Sequence, residues 1–206
     1  MMAVLALLAP MGGTFGENGE LSTERSGRQE TTFGDLTADA LCADADAVLG
    51  LAAAVSFKTG AIPAAGATRE QVASLLQTPE ESWAVSRLTG AQIRKALERS
   101  LSRAPLPNAN AFLQVSGMTV VYDPTQPRDE RIISLTTAQG PIEPEQQYEV
   151  VMPLALAKGG SGYFQVFGKD DIIRHGTTAM ADAVLQYRQA DPEKEYTGQG
   201  RIVVGG

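Results

Sequence analysis

From Phe33 to Ala45 the apolar residues Phe33, Leu36, Ala40 and Leu41 recur at helical spacing, and Thr32 stands where a cap is needed. The small and branched residues from Val48 to Phe57 form a run too short for a helix of its own, so it reads as a buried strand. Thr68 and Gln71 have the spacing of a capping box, and Val72, Leu75 and Leu76 supply the apolar face of a helix that stops before Pro79. Trp83, Val85 and Arg87 then alternate with Ala84, Ser86 and Leu88 in a strand. Thr89 and Gln92 repeat the capping box ahead of a helix carrying Ile93, Leu97 and Leu101. Beyond Pro105 the pattern changes to strands over Phe112 to Tyr122, Arg131 to Thr137 and Tyr148 to Met152, which predicts a three-stranded antiparallel section. A helix over Thr177 to Gln189, with Met180, Ala183, Val184 and Tyr187 on one face, precedes a short strand from Arg201 to Val204. The pattern predicts an α+β (mixed α/β) fold, with helices packed on a mixed sheet and an antiparallel C-terminal section.

The start of the chain follows other rules. Met1 to Met11 holds an apolar run, Ala3 to Ala9, too short to span a bilayer and similar to the hydrophobic region of a signal peptide. It lacks the usual basic residues before that region, so it reads as either an export signal with its true start further upstream or an apolar tail. Export, to the periplasm or outside the cell, is the reading adopted. Residues 10 to 30 carry few large apolar side chains and are expected to be extended or disordered. The expected division is therefore an export remnant and flexible leader over 1–30 and one domain over 31–206.

Charge and rare residues narrow the chemistry. The formal charge is −7 and no basic run tracks along the chain, so nucleic acid is not an expected partner. Cys42 is the sole cysteine, which excludes an intramolecular disulfide and a cysteine metal cluster. His175 is the sole histidine, and no segment offers the carboxylate and imidazole spacing of a two-metal hydrolase. A serine triad also lacks its elbow, because Gly159-Gly160-Ser161-Gly162-Tyr163 ends in a bulky ring where the last glycine belongs. No catalytic residue, metal site or cofactor is expected.

Four segments in order carry a resemblance: ETTFGDLTADAL (Glu30 to Leu41), LTGAQIRKALERSL (Leu88 to Leu101), FLQVSGMTVVYD (Phe112 to Asp123) and KGGSGYF (Lys158 to Phe164). Together they resemble the C-terminal domain of the 5'-nucleotidase and UDP-sugar hydrolase family. The resemblance implies a domain that grips the nucleoside part of a substrate, while hydrolysis belongs to a separate N-terminal metallophosphatase domain with two metal ions, which nothing in this chain matches.

The resemblance also implies a site. In the family the glycine loop reads G-G-D-G plus an aromatic residue, whose ring stacks on the base while the acid bonds ribose hydroxyls. Here Gly159, Gly160 and Gly162 keep the loop, Tyr163 keeps the ring, and Ser161 replaces the acid. Where the family carries N-G-G-G-[IV]-R, this chain reads Ala53 to Lys58, with Lys58 in place of the arginine. Pro79 falls where the family has a second stacking phenylalanine, and Glu80 and Glu81 beside it repel phosphate. Phe57 and Trp83 are either replacement rings or core residues. Gln114 and Ser116 are expected to satisfy neighbouring backbone groups. Three roles follow from these departures: a non-catalytic domain binding a nucleoside, nucleotide or sugar derivative, a recognition subunit that docks on a separate metallophosphatase, or a degenerate structural domain.

Overall fold

The computed structural model describes residues 19–102, 109–198 and 200–205. The apolar run at the start and Pro105 lie outside the described residues. In chain order the elements are β1 (Glu20–Ser22), α1 (Thr32–Ala45), β2 (Leu49–Ala53), β3 (Ala61–Pro63), α2 (Arg69–Ser74), β4 (Trp83–Thr89), α3 (Gly90–Leu101), β5 (Leu113–Ser116), β6 (Met118–Tyr122), β7 (Ile132–Thr137), β8 (Gly140–Pro141), β9 (Gln147–Pro153), α4 (Leu154–Ala157), β10 (Ile172–His175), α5 (Met180–Ala190) and β11 (Ile202–Val204). A five-stranded mixed sheet runs in the order β10-β4-β9-β2-β5, in which β9 and β2 are parallel and the other pairs antiparallel. A second sheet, β11-β6-β7-β8, carries the antiparallel section, and β1 pairs with β3 in a small ribbon.

Alternation in the central strands builds two cores. Leu49, Leu51 and Ala53 of β2, with Val150 and Met152 of β9, face α3 and the second sheet. Ala52 and Val151 face the other way, onto α1, α2 and α5. A strand buried on both faces needs apolar residues throughout, which is why β2 has no polar alternation. Both predicted capping boxes are present, at Thr68 with Gln71 and at Thr89 with Gln92. The first helix is capped one residue earlier than expected, by Thr31, whose side chain accepts from the Gly34 N–H.

Three expectations need correction. The run Phe112 to Tyr122 is two strands in two different sheets, broken at Gly117, where φ is +75° and a Cβ would lie 1.9 Å from the Val48 carbonyl oxygen. The run Tyr148 to Met152 does not join the antiparallel section; as β9 it lies between β4 and β2 in the central sheet. The strand expected from Val48 to Phe57 ends at Ala53, and Ala54–Ser56 turn in a short 3-10 helix.

The described part of the expected leader is also folded. Leu21 is 1% exposed and pairs with Ile62, and Thr23 bonds the carbonyls of Lys58 and Gly60. Gln114 holds the segment after them, donating to Ser26 and Gln29 carbonyls while accepting from the Thr31 N–H. The expected role is seen directly for Gln114, whereas the Ser116 hydroxyl donates to the Asp39 carboxylate instead of to backbone. The Gln114 amide spans three pieces of backbone that no secondary structure pairs.

A buried charge cluster closes the fold. Arg201 donates to both oxygens of Asp39, at 2.7 and 3.0 Å, and to the Val115 carbonyl, while Glu30 accepts from the backbone N–H groups of Arg201 and Ile202. Burial alone would raise Asp39, but the hydrogen bonds and charge of Arg201 outweigh it and hold the carboxyl below its usual range. Asp35, fully buried one helical turn away, goes the other way: burial first, then the neighbouring Glu30 carboxyl, push it up to about 9. Folding therefore takes up a proton at Asp35. The stabilisation this gives is complete below the unfolded value of 3.8 and is lost as pH rises toward about 9. Asp35→Asn, which keeps the shape of the neutral acid, is expected to gain stability over the parent chain as pH rises. Urea midpoints at about pH 5 and about pH 9 check this, and a parent-to-variant gap that stays constant contradicts it.

Candidate functional site

The strands β2 and β9 run parallel, and their carboxyl ends open onto a cavity of about 510 Å³. The turn after β2 supplies Ala54 to Phe57, the end of β9 and the start of α4 supply Pro153, Ala155 and Leu156, and the glycine loop supplies Gly160 and Ser161. Gln77, Thr78, Glu81 and Asn110 complete the wall. A second hollow of about 280 Å³, lined by Arg25, Ser26, Gly27, Arg28 and Thr59, shares Ala54, Phe57 and Asn110 with the first. The two hollows adjoin. Crevices outside the carboxyl ends of parallel strands are where open α/β sheets bind ligands, because strand connections diverge there.

The wall holds unspent polar groups. The side chains of Gln77, Thr78, Asn110 and Ser161 make no hydrogen bond within the described residues, and neither Arg25 nor Arg28 forms an ion pair there. Glu81 uses one oxygen, Oε1, to accept from the Ala155 N–H at 2.6 Å. Arg25 and Arg28 are held by the turn that Gln114 fastens, so their backbone is fixed although their side chains reach solvent.

The predicted site residues divide. Gly160 and Ser161 line the cavity, and so does Phe57, although it is 6% exposed and packs edge-on against Phe33 at 6.0 Å. Lys58 is exposed but lies outside both linings; its backbone N–H bonds Leu75 and its carbonyl accepts from Thr23. Tyr163 is wholly buried: its ring stacks on Phe167 at 5.3 Å, and its hydroxyl donates to the Ala111 carbonyl at 2.5 Å. A ring in that position offers no face to a ligand. Phe164, the next residue, is 70% exposed.

The glycine loop owes its sequence to this inward turn. Gly159, Ser161 and Gly162 all have positive φ, and a Cβ on Gly162 would lie 2.0 Å from an Arg99 Nη2 that bonds the Ser161 carbonyl. Arg99 also lies over the Tyr163 ring at 5.4 Å. Trp83 is a core residue as well, 6% exposed, with its indole N–H donated to Asp44. Sequence reading missed Arg25, Arg28, Gln77, Thr78, Asn110 and Ala155 as cavity residues and noted Glu81 only as a repellent for phosphate. Long-range closure brings them together, and no local signal marks them.

Among the described residues no three His, Cys, Asp or Glu side chains converge in a way that could hold a metal ion, and no helix is long and apolar enough to cross a membrane.

The model of the family described as 5'-nucleotidase, C-terminal domain, matches residues 11–169. The 5'-nucleotidase of Homo sapiens is 32% identical over 96 residues, and the snake venom 5'-nucleotidase of Naja atra is 36% identical over 89. These alignments cover 43% and 39% of this chain but only 16% and 17% of those relatives. Among solved structures, a 5'-nucleotidase precursor from Thermus thermophilus superposes with a TM-score of 0.79 at 28% identity, over 90% of this chain and 38% of that one. The NAD nucleotidase of Haemophilus influenzae shares the fold, with a TM-score of 0.76 at 14% identity over 92% of this chain and 37% of that one. The chain thus spans a minor part of each, and it belongs to the 5'-nucleotidase C-terminal domain family.

Proposed function

We propose that this chain is an exported, non-catalytic recognition domain that holds a small ligand of the nucleoside, nucleotide or sugar-derivative class in the cavity at the carboxyl ends of β2 and β9. The observation that carries the reading is the pairing of two adjoining hollows of unlike character. One has neutral polar groups, apolar walls and a single carboxylate, Glu81; the other has Arg25 and Arg28 with no counter-ion among the described residues. A ligand with an uncharged polar body and an anionic end matches that polarity, because an anion is repelled by Glu81 and drawn to the arginines. The family relationship supports the ligand class, since the relatives are nucleotidases by name. Phe57, Gly160 and Ser161 are retained as contact residues, while Lys58, Gly159, Gly162 and the Tyr163 ring, which lie outside both linings, are not.

Calorimetric titration with nucleosides, nucleotides and sugars tests the reading, with Ala155→Trp as the plugged variant. Ala155 is exposed on the cavity wall, so an indole there fills space without disturbing the core. Binding is expected in the parent chain and at least about tenfold weaker in the variant, at unchanged thermal midpoint. Absent heats at millimolar ligand, or equal binding by both proteins, contradict it. The exposed Phe164 ring favours a second reading, docking on a separate metallophosphatase. A chain that binds none of the ligands yet raises the turnover of an added metallophosphatase decides for docking.

A further inference from the structure

We propose that Arg99 is a positioning residue for this cavity: its guanidinium fixes the glycine loop in the turn that brings Ser161 to the cavity wall. The inference rests on the ligand-binding reading above and adds a residue that acts on the ligand without touching it. Gln92, Lys95 and Arg99 lie on one face of α3, spaced three and four residues apart. Each donates to a carbonyl of the segment laid along that face: Gln92 to Val166 at 3.0 Å, Lys95 to Gln165 at 3.4 Å and Arg99 to Ser161 at 3.1 Å. Of the three acceptors only Ser161 lines the cavity, so Arg99 is the member of the row that reaches its wall.

One guanidinium holds three consecutive residues. It bonds the Ser161 carbonyl, occupies the space a Cβ on Gly162 would need, and lies over the Tyr163 ring at 5.4 Å. Ser161 needs that hold, since its φ of +53° lies in the left-handed region that residues with a Cβ rarely adopt. The cost falls on Arg99. Among the described residues it forms no ion pair, and its Nε is buried without a hydrogen-bond partner. Packing alone is served better by an apolar side chain of similar length, which has no unmet donor and no charge to desolvate. What the guanidinium adds is the order of the loop, whose Ser161 hydroxyl it leaves without a partner among the described residues and available to a ligand.

The test compares the intact parent chain with Arg99→Met and Arg99→Lys, with adenosine monophosphate as the probe. Methionine keeps an unbranched stem without donor or charge. Lysine keeps a charged donor for the Ser161 carbonyl but has no plane to lay over the Tyr163 ring. In the free protein, the backbone amide signals of Gly159 to Gly162 should move in both variants. Calorimetry should show affinity for the nucleotide about tenfold or more below the parent in Arg99→Met, and about threefold below it in Arg99→Lys. A merely structural role would lower the thermal midpoint and leave the affinity of the folded protein alone. Parent-like affinity in folded Arg99→Met, or in Arg99→Lys where the methionine variant does not fold, overturns the inference while leaving the cavity as a binding site. Weakened binding with unmoved loop amides also overturns it, because the effect then bypasses the loop. Failure of the parent chain to bind the nucleotide overturns the ligand-binding reading and the inference with it.

Discussion

Tyr163→Ala is expected to lose about 3 to 5 kcal/mol of stability, the cost of emptying a large aromatic site in a packed core. Against a total of roughly 5 to 15 kcal/mol for a domain, that leaves a marginal or unfolded protein. The ring is wholly buried against Phe167 and under Arg99, with its hydroxyl on the Ala111 carbonyl, so removal opens a void and frees a polar group together. Tyr163→Phe should lose only the hydrogen bond, about 1 kcal/mol, and retain ligand binding. Urea unfolding of both variants measures this. A Tyr163→Ala protein with the parent's midpoint and selectively lost ligand affinity would instead put the ring in the recognition site.

Arg201→Ala should be the second large loss, about 3 kcal/mol, because it leaves the buried carboxylate of Asp39 with only the part-exposed Lys194 as counter-charge. Lys194, Tyr196 and Ser116 still reach Asp39, but none replaces the paired guanidinium contacts. The side chain of Arg201 is 11% exposed and that of Asp39 is 9% exposed, so solvent does little to screen the pair. The loss should also loosen β11, since the Arg201 carbonyl accepts from the Val120 N–H and opens the parallel pairing with β6. Pairing Arg201→Met with Asp39→Asn should restore part of the stability, as removing both buried charges avoids leaving one of them under-paired. Denaturant midpoints and hydrogen exchange at Val120 read both effects. A change of only a few tenths of a kcal/mol, typical of an exposed pair, would contradict the buried-clamp account.

Local rules carried the elements that close on themselves. The capping boxes at Thr68 and Thr89 involve residues three apart, so the sequence alone determines them. Pairing between distant strands was not legible in the same way. The apolar run of β9 fits a hairpin or a central sheet equally well, and its parallel partner β2 lies far earlier in the chain. Gly117 looks like an ordinary strand glycine until its left-handed φ and its approach to Val48 divide β5 from β6. The polar stretch from Thr23 to Ser26 looks like a leader because its partners, Lys58 and Gly60 for Thr23 and Gln114 for Ser26, come from separate, distant segments.

The site shows the same limit. The glycine loop was recognisable from sequence, but the direction of its ring was not, because positive φ at Ser161 and Gly162 turns Tyr163 inward and leaves Phe164 in solvent. The arginines and Glu81 sit in segments with no motif, and only closure of the fold brings them beside Ser161 and Phe57.

The most direct test of the recognition cavity is heteronuclear NMR titration of the intact chain with adenosine monophosphate. Saturable shifts gathered on Ala54 to Phe57, Arg25 to Arg28, Glu81, Asn110 and Ala155 to Ser161 are the predicted result. Shifts centred instead on the opposite end of the same strands, at Asp46 to Leu49 and Gln146 to Glu149, or none at millimolar ligand, would contradict it.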